Sequence, residues 1–224
     1  MKKYVKVLGI ISLMLFSFYY TEKIALYAQN NTTLKKEILT YKETEKVASV
    51  NAVVTGNTIT PGINGLEINV NKSYNAMKSS NVFDEYNLVY DEIKPSISVI
   101  DYPDKIINSG NIEKKAVSII ISNQNNNIDY LNEIKVPYSY LHNDNYCVVI
   151  DNTTCDNNLR KVKPSYILNN TNFVKYVKDI SSGSIIYLSD DFDRMYIDIL
   201  LKHIKYFDLN ILKLDDHLTE SLKK

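Results

Sequence analysis

The groups in this chain whose types and spacing could do chemistry are acids at the ends of apolar runs. Asp190, Asp191 and Asp193 follow the run 184–188, Asp215 and Asp216 follow 209–214, and Asp151 follows 146–150. Three carboxylates converging on one point suit a hard cation. The same positions also suit helix starts, where one side chain caps a free N–H and further acids complement the dipole. Capping by Ser189 or Asp190 is the preferred reading. A ligand edge, if one survives, should gather Asp151, Ser189, Asp190 and Asp215 at the carboxyl ends of strands, where α/β proteins bind ligands.

The three histidines, His142, His203 and His217, stand apart from one another. His203 falls on an apolar helical face, eleven positions after Phe192 and so about 20° from it, which reads as helix packing. His142 lies in the polar stretch 140–144 and is expected in solvent. No histidine pair at ligand spacing exists, so no metal ligands and no cofactor are assigned. G-x-S-x-G, P-loop and G-x-G-x-x-G patterns are absent, and no residue is assigned a catalytic role. Cys147 and Cys155 are the only cysteines. They are a candidate disulfide, although Cys147, inside an apolar run, also reads as a small buried hydrophobe.

The elements that must position these groups alternate. Strands are expected at 117–122, 146–151, 165–168, 184–188 and 209–214, with helical patterns between them. The clearest helix is 192–207, where Phe192, Met195, Tyr196, Ile199, Leu200, Ile204 and Phe207 recur at the spacing of one face; 173–180 is a shorter version. Strand–helix alternation means a mainly parallel sheet with right-handed crossovers. Upstream, 66–70 alternates as a half-buried strand, a short helix begins at Ser73, and 86–90 and 96–100 are further strand candidates. Residues 50–112 read as a small N-terminal α+β unit, and residues 113–224 as the α/β domain.

At the N-terminus, Lys2, Lys3 and Lys6 precede an uncharged apolar run of about 14 residues, short against the roughly 20 of a spanning helix. A basic flank before an apolar run marks a secretory signal or an uncleaved anchor. The expectation is a single-pass anchor over residues 1–21, a polar stalk over 22–49 and an extracytoplasmic remainder, or a secreted protein if the segment is cleaved. Basic and acidic residues balance at 26 each, which leaves no basic face for nucleic acid. Tyr occurs 18 times and Trp not at all, which counts mildly against a dedicated lectin.

Residues 60–74, with Pro61-Gly62 and Asn64-Gly65, resemble the leader of divergent, membrane-anchored polysaccharide deacetylases of Gram-positive bacteria. So do residues 106–111 followed by 114–120, and the closing stretches 163–165, 182–186 and 209–215. The resemblance covers about residues 50–224. It implies an incomplete (β/α) barrel that removes N- or O-acetyl groups from sugar polymers. In that family an Asp pair follows the first strand and a His-x-x-x-His helix comes later; two imidazoles and a carboxylate hold a metal that sharpens a bound water.

This chain departs from that pattern. Its first strand ends Ile121-Ser122-Asn123-Gln124, its closing strand ends Leu188-Ser189-Asp190, and it has no His-x-x-x-His. The interval before Tyr146 is also too short for the family's central βα units. The expectation is therefore a shortened barrel without the metal site: a catalytically degenerate deacetylase-like protein at the cell envelope that binds glycan or an envelope protein. The alternatives are an active carbohydrate deacetylase with an atypical site, a purely structural interaction protein, and a decaying remnant.

Overall fold

In a computed structural model of the protein, residues 2–30, 32–142, 144–150, 153–156 and 158–222 are described, with the backbone alone for 2–8 and 26–30. From the N-terminus the elements are α1 (Lys2–Asn30), α2 (Thr33–Thr44), β1 (Val53–Thr55), β2 (Thr58–Thr60), β3 (Gly65–Ile68), α3 (Val70–Met77), β4 (Tyr90–Ile93), β5 (Ile106–Ile107) and β6 (Ala116–Ile121). They continue with α4 (Ile128–Glu133), β7 (Ser139–Tyr140), β8 (Tyr146–Val148), β9 (Arg160–Val162), β10 (Tyr166–Leu168), α5 (Phe173–Tyr176), β11 (Ile185–Leu188), α6 (Arg194–Tyr206), β12 (Asn210–Ile211) and α7 (Leu214–Leu218). Two compact units result: Met1–Val47 with Leu66–Asp91, and Ala48–Gly65 with Glu92–Lys224.

The larger unit is organised on β6, whose six residues are all buried. A strand covered on both faces reads as a continuous apolar run, as here. Parallel ladders join β6 to β11, to β7 and to β12, and β11 to β10. A second sheet runs β1-β2-β5-β9-β8, antiparallel at β1–β2 and parallel thereafter. Because side chains alternate along a strand, β6 serves two cores. Val117, Ile119 and Ile121 pack with Ile186, Leu188 and the helix residues Phe173, Ile197, Leu200 and Ile204. Ile120 joins Ile185 and, from the other sheet, Ile59, Ile107, Val148 and Val162. Two largely parallel sheets thus share an inner core, with helices on the outer face of one. This mixed α/β, truncated barrel-like arrangement is the class expected.

In the smaller unit, Leu34 and Ile38 of α2 are buried with Ile68 and Met77, and Tyr41, Tyr74 and Phe83 pack around them. Asn69 caps α3 by accepting from the Lys72 N–H at 2.9 Å, so that helix begins three residues before Ser73.

Several expectations need correction. Residues 96–100 are not a strand: Ser98 and Asp101 form a reciprocal capping box around a short 3-10 turn, a local satisfaction of backbone groups that competes with a ladder. At 86–90 a similar turn capped by Asp84 precedes β4. On α6 the buried stripe is Ile197, Leu200 and Ile204, while Met195 is 57% exposed and Phe207 53%. Apolar residues surround much of that helix, so their spacing does not select the inward stripe.

The single-pass anchor is also overturned. α1 is 29 residues long, yet among the described residues no helix is long and apolar enough to cross a membrane. Glu22 and Lys23 end the uncharged run well before the roughly 20 residues a span requires.

One buried polar group holds the C-terminal end in place. His217 of α7 is fully buried, and a Cβ at Gly110 would lie 2.2–2.4 Å from its ring atoms. Only a glycine admits the imidazole there. The Ser118 hydroxyl of β6 donates to the Leu212 carbonyl at 2.9 Å and lies 2.8 Å from His217 Nδ1. With its single hydrogen so used, Ser118 must accept from Nδ1–H, which leaves Nε2 bare and without a hydrogen-bond partner. Burial, with the nearby Lys114 charge adding to it, pushes His217 down to about 4, partly opposed by the backbone at Ala116 and Asn111.

Two outcomes are expected. Leu200→Ala, which removes a fully buried side chain of α6, should cost about 2–5 kcal/mol in urea unfolding, whereas exposed Met195→Ala should cost under about 0.5 kcal/mol; equal costs would contradict the assigned stripe. In the second, the unfolded chain binds a proton at His217 below about 6.5 and the folded chain only near 4. Stability should therefore fall as pH drops across that window, by about 3 kcal/mol, and level off below it. His217→Asn should flatten this part of the profile in urea titrations at a series of pH values; an unchanged slope would remove His217 as the cause.

Candidate functional site

The acids singled out from the sequence have separate tasks. Asp193 is the cap of α6, accepting from the Met195 N–H at 2.8 Å, so the cap is neither Ser189 nor Asp190. Asp190 instead accepts from the Ser122 hydroxyl at 2.6 Å, joining the ends of β6 and β11. The Ser189 hydroxyl beside it is buried without a hydrogen-bond partner. Asp215 accepts from Asn145 Nδ2 at 3.2 Å in the first turn of α7. Asp151 lies outside the described residues. Among the described residues, no group of three His, Cys, Asp or Glu side chains is arranged to hold a metal ion.

The histidines are accounted for individually. His203 is half-buried, with Nε2 3.4 Å from the Ile180 carbonyl and its ring 4.7 Å from that of Phe207, a packing role. His142 is exposed and forms an antiparallel bridge with Cys147. Cys147 and Cys155 are joined in a disulfide with Cα atoms 5.8 Å apart, which closes the loop after β8.

The site with the most chemical content was not singled out from the sequence. Around β7 and the segment before it an open cleft of about 380 Å³ is lined by Asn132, Tyr138, Tyr140, Tyr146, Lys213 and Asp215, among others. Tyr138 and Tyr140 are two residues apart and so project to one side of their strand. Their rings meet edge to face, with centroids 5.6 Å apart. Tyr138 donates to Asn132 Oδ1 at 3.1 Å. The Tyr138 hydroxyl and burial push the Tyr140 phenol up. Burial, aided by the Asp215 charge and opposed by Ser139, does the same at Tyr146. On the opposite side of β7, Ser139 accepts from the Leu214 N–H at 2.8 Å and so fixes the start of α7, which carries Asp215 into the cleft. With their values raised, the Tyr140 and Tyr146 phenols stay protonated at neutral pH, and the three rings are flanked by one ammonium, one carboxylate and an amide. Such a set can stack on an apolar face and exchange hydrogen bonds with hydroxyls or amides. It holds no group poised as a nucleophile. The signal in the sequence was the alternation Tyr138-Ser139-Tyr140, which a search for titrating residues passes over.

Comparison with known proteins gives three findings. No family model matches the chain. The uncharacterized protein YlxY of Bacillus subtilis is 39% identical over 62 residues, which is 28% of this chain and 19% of that protein; the chain matches only about a fifth of that relative's length. In solved structures, a CE4 family pseudoenzyme from Bacillus anthracis, BA3943, superposes with a TM-score of 0.58 at 15% identity, over 84% of this chain and 95% of that one. A mutant of BA3943 described as having restored enzymatic activity superposes with a TM-score of 0.59 at 15% identity, over 84% of this chain and 98% of that one. At such identity the likeness speaks for the fold alone: the chain has a CE4-like, divergent polysaccharide deacetylase-like fold.

Proposed function

We propose that this chain is a catalytically degenerate deacetylase-like protein that binds glycan, with the tyrosine cleft as its binding site. The observation that carries the proposal is at the carboxyl edge of β6. There the chain offers Ser122 bonded to Asp190 where metal-dependent deacetylation needs converging imidazoles and carboxylates, while around β7 it offers aromatic faces with hydroxyl and amide groups. Metal-assisted hydrolysis of an amide or ester needs an ion that activates a water, and among the described residues no group of three His, Cys, Asp or Glu side chains is arranged to hold one. Binding needs only shape, stacking and hydrogen bonds, which Tyr138, Tyr140 and Asn132 can provide. The CE4-like fold, shared with proteins described as pseudoenzymes, supports the same reading.

The test combines two measurements on one preparation. Incubation with acetylated chitooligosaccharides and added Zn²⁺, followed by mass spectrometry, should show no loss of acetyl groups. Calorimetric titration with the same oligomers should show binding, weakened about tenfold in Tyr140→Ala, or about 1.4 kcal/mol. Metal-dependent acetate release abolished by Asp190→Ala would overturn the non-catalytic part. Absence of binding, or binding indifferent to Tyr140→Ala, would overturn the assignment of the cleft.

A further inference from the structure

The last described segment, α7 and the turn after it, is fixed to the larger unit by side chains and isolated backbone contacts, with no strand ladder of its own. Leu214 is fully buried and its N–H donates to Ser139. The His217 carbonyl accepts from the Asn111 N–H at 2.9 Å, and the Asn111 amide donates to the carbonyls of Gly62, at 3.0 Å, and Thr219. Three residues beyond His217, the buried Glu220 carboxylate accepts from the Ser98 hydroxyl, from the Val99 N–H at 3.0 Å and from the Gly62 N–H at 3.4 Å. The Glu220 carbonyl accepts from the Asn64 N–H at 2.8 Å. Detaching residues 214–222 would break these anchors and leave every ladder of the two sheets intact, which is the condition for local opening.

One of the anchors is an imidazole that a proton would disrupt. His217 is held as the neutral Nδ1–H form, its bare Nε2 buried against Gly110; a proton on Nε2 would place a charge in a buried site. The charged groups around the strap add to this bias at His217. Lys114, from the turn before β6, acts on His217 with like charge, while Asp216 and Glu92 act on Lys114. Asp215 and Asp216 lie on α7 itself. β6 and the Gly110–Asn111 loop present uncharged groups to the ring. Arg160 of β9 is charge-coupled to Glu220, and Lys94 lines the same cleft as Glu220.

We propose that residues 214–222 form an acid-released strap, clamped by the neutral His217 ring and the Glu220 carboxylate, that opens without unfolding of the sheets beneath it. Asp215, near its start, lines the tyrosine cleft together with Lys213 just before the strap, so opening withdraws Asp215 from that cleft. The release itself does not depend on what the cleft binds.

Hydrogen–deuterium exchange on the whole protein between pH 7 and pH 4, corrected for intrinsic exchange rates, tests this directly. Protection of peptides spanning 212–222 should fall at least about tenfold as pH drops through the window between the unfolded and folded histidine values, and should stay at every pH below that of peptides covering β6 and β11, which exchange only by unfolding of the sheets. His217→Asn should lose the pH dependence of the strap. Lys114→Met removes the neighbouring like charge together with the Lys114 ammonium's hydrogen bond to the Asp216 carbonyl; it should lower strap protection at pH 7 yet reduce the further loss on acidification, so the proposal stays testable if the histidine variant folds poorly. A strap as well protected as β6 at every pH, a strap that stays protected down to pH 4, or a loss unchanged in both variants would each overturn it.

Discussion

Burial of β6 on both faces is the constraint from which the rest of the structure follows. A strand with no solvent side must find apolar cover above and below, and each of its backbone groups must be paired. Parallel neighbours supply the pairing. α5 and α6 supply one cover, and the inner faces of β2, β5, β8 and β9 supply the other. Ser118 is the one polar side chain on that strand. Its hydroxyl is satisfied by the Leu212 carbonyl and the His217 ring, so the only polar break in the central strand also fixes the C-terminal segment.

The chemistry of the candidate site follows from where strands end. In an α/β fold the carboxyl edge presents loops and helix starts, and this is where a deacetylase would gather its metal ligands. Here Ser122 and Asp190 close that position by bonding to each other, and Asp193 is committed to capping α6. A cap and a metal ligand compete for the same oxygen lone pairs, and in this chain the cap holds them. What the chain still offers to a partner lies around β7: phenol faces in an open cleft, bordered by a lysine and an aspartate of opposite charge.

Much of the fold was legible in the residues. The apolar runs near 117 and 185 could be placed because strands largely buried on both faces leave a continuous apolar pattern, and the parallel class followed from the alternation of strands with helices. The inward face of α6 was not legible, since Met195 and Ile199 are as apolar as Ile197 and Leu200 and only the tertiary packing separates them. The lysine- and glutamate-rich stretch 33–46 hid the spacing of Leu34, Ile38 and Tyr41, which buries α2. At residues 96–101, β-branched residues suggested a strand where Ser98 and Asp101 satisfy the backbone locally. Of the site, a helix cap was expected among the acids, but the residue that caps α6 is Asp193 and neither Ser189 nor Asp190. Nothing in the neighbours of His217 reveals that Gly110, more than a hundred positions away, leaves room for its ring.

The central claim is that this fold retains a binding surface in place of a reaction centre, and that the surface is the phenol-lined cleft. Tyrosine-ring ¹³C-labelled protein, followed by NMR during addition of chitotetraose, tests it most directly. The account expects ring resonances of Tyr138, Tyr140 and Tyr146 to shift in a saturable way while those of Tyr86 and Tyr206, exposed elsewhere, stay fixed, with the oligosaccharide's acetyl signals undiminished after prolonged incubation with Zn²⁺. Shifts confined to other tyrosines, or free acetate accumulating in the tube, would contradict it.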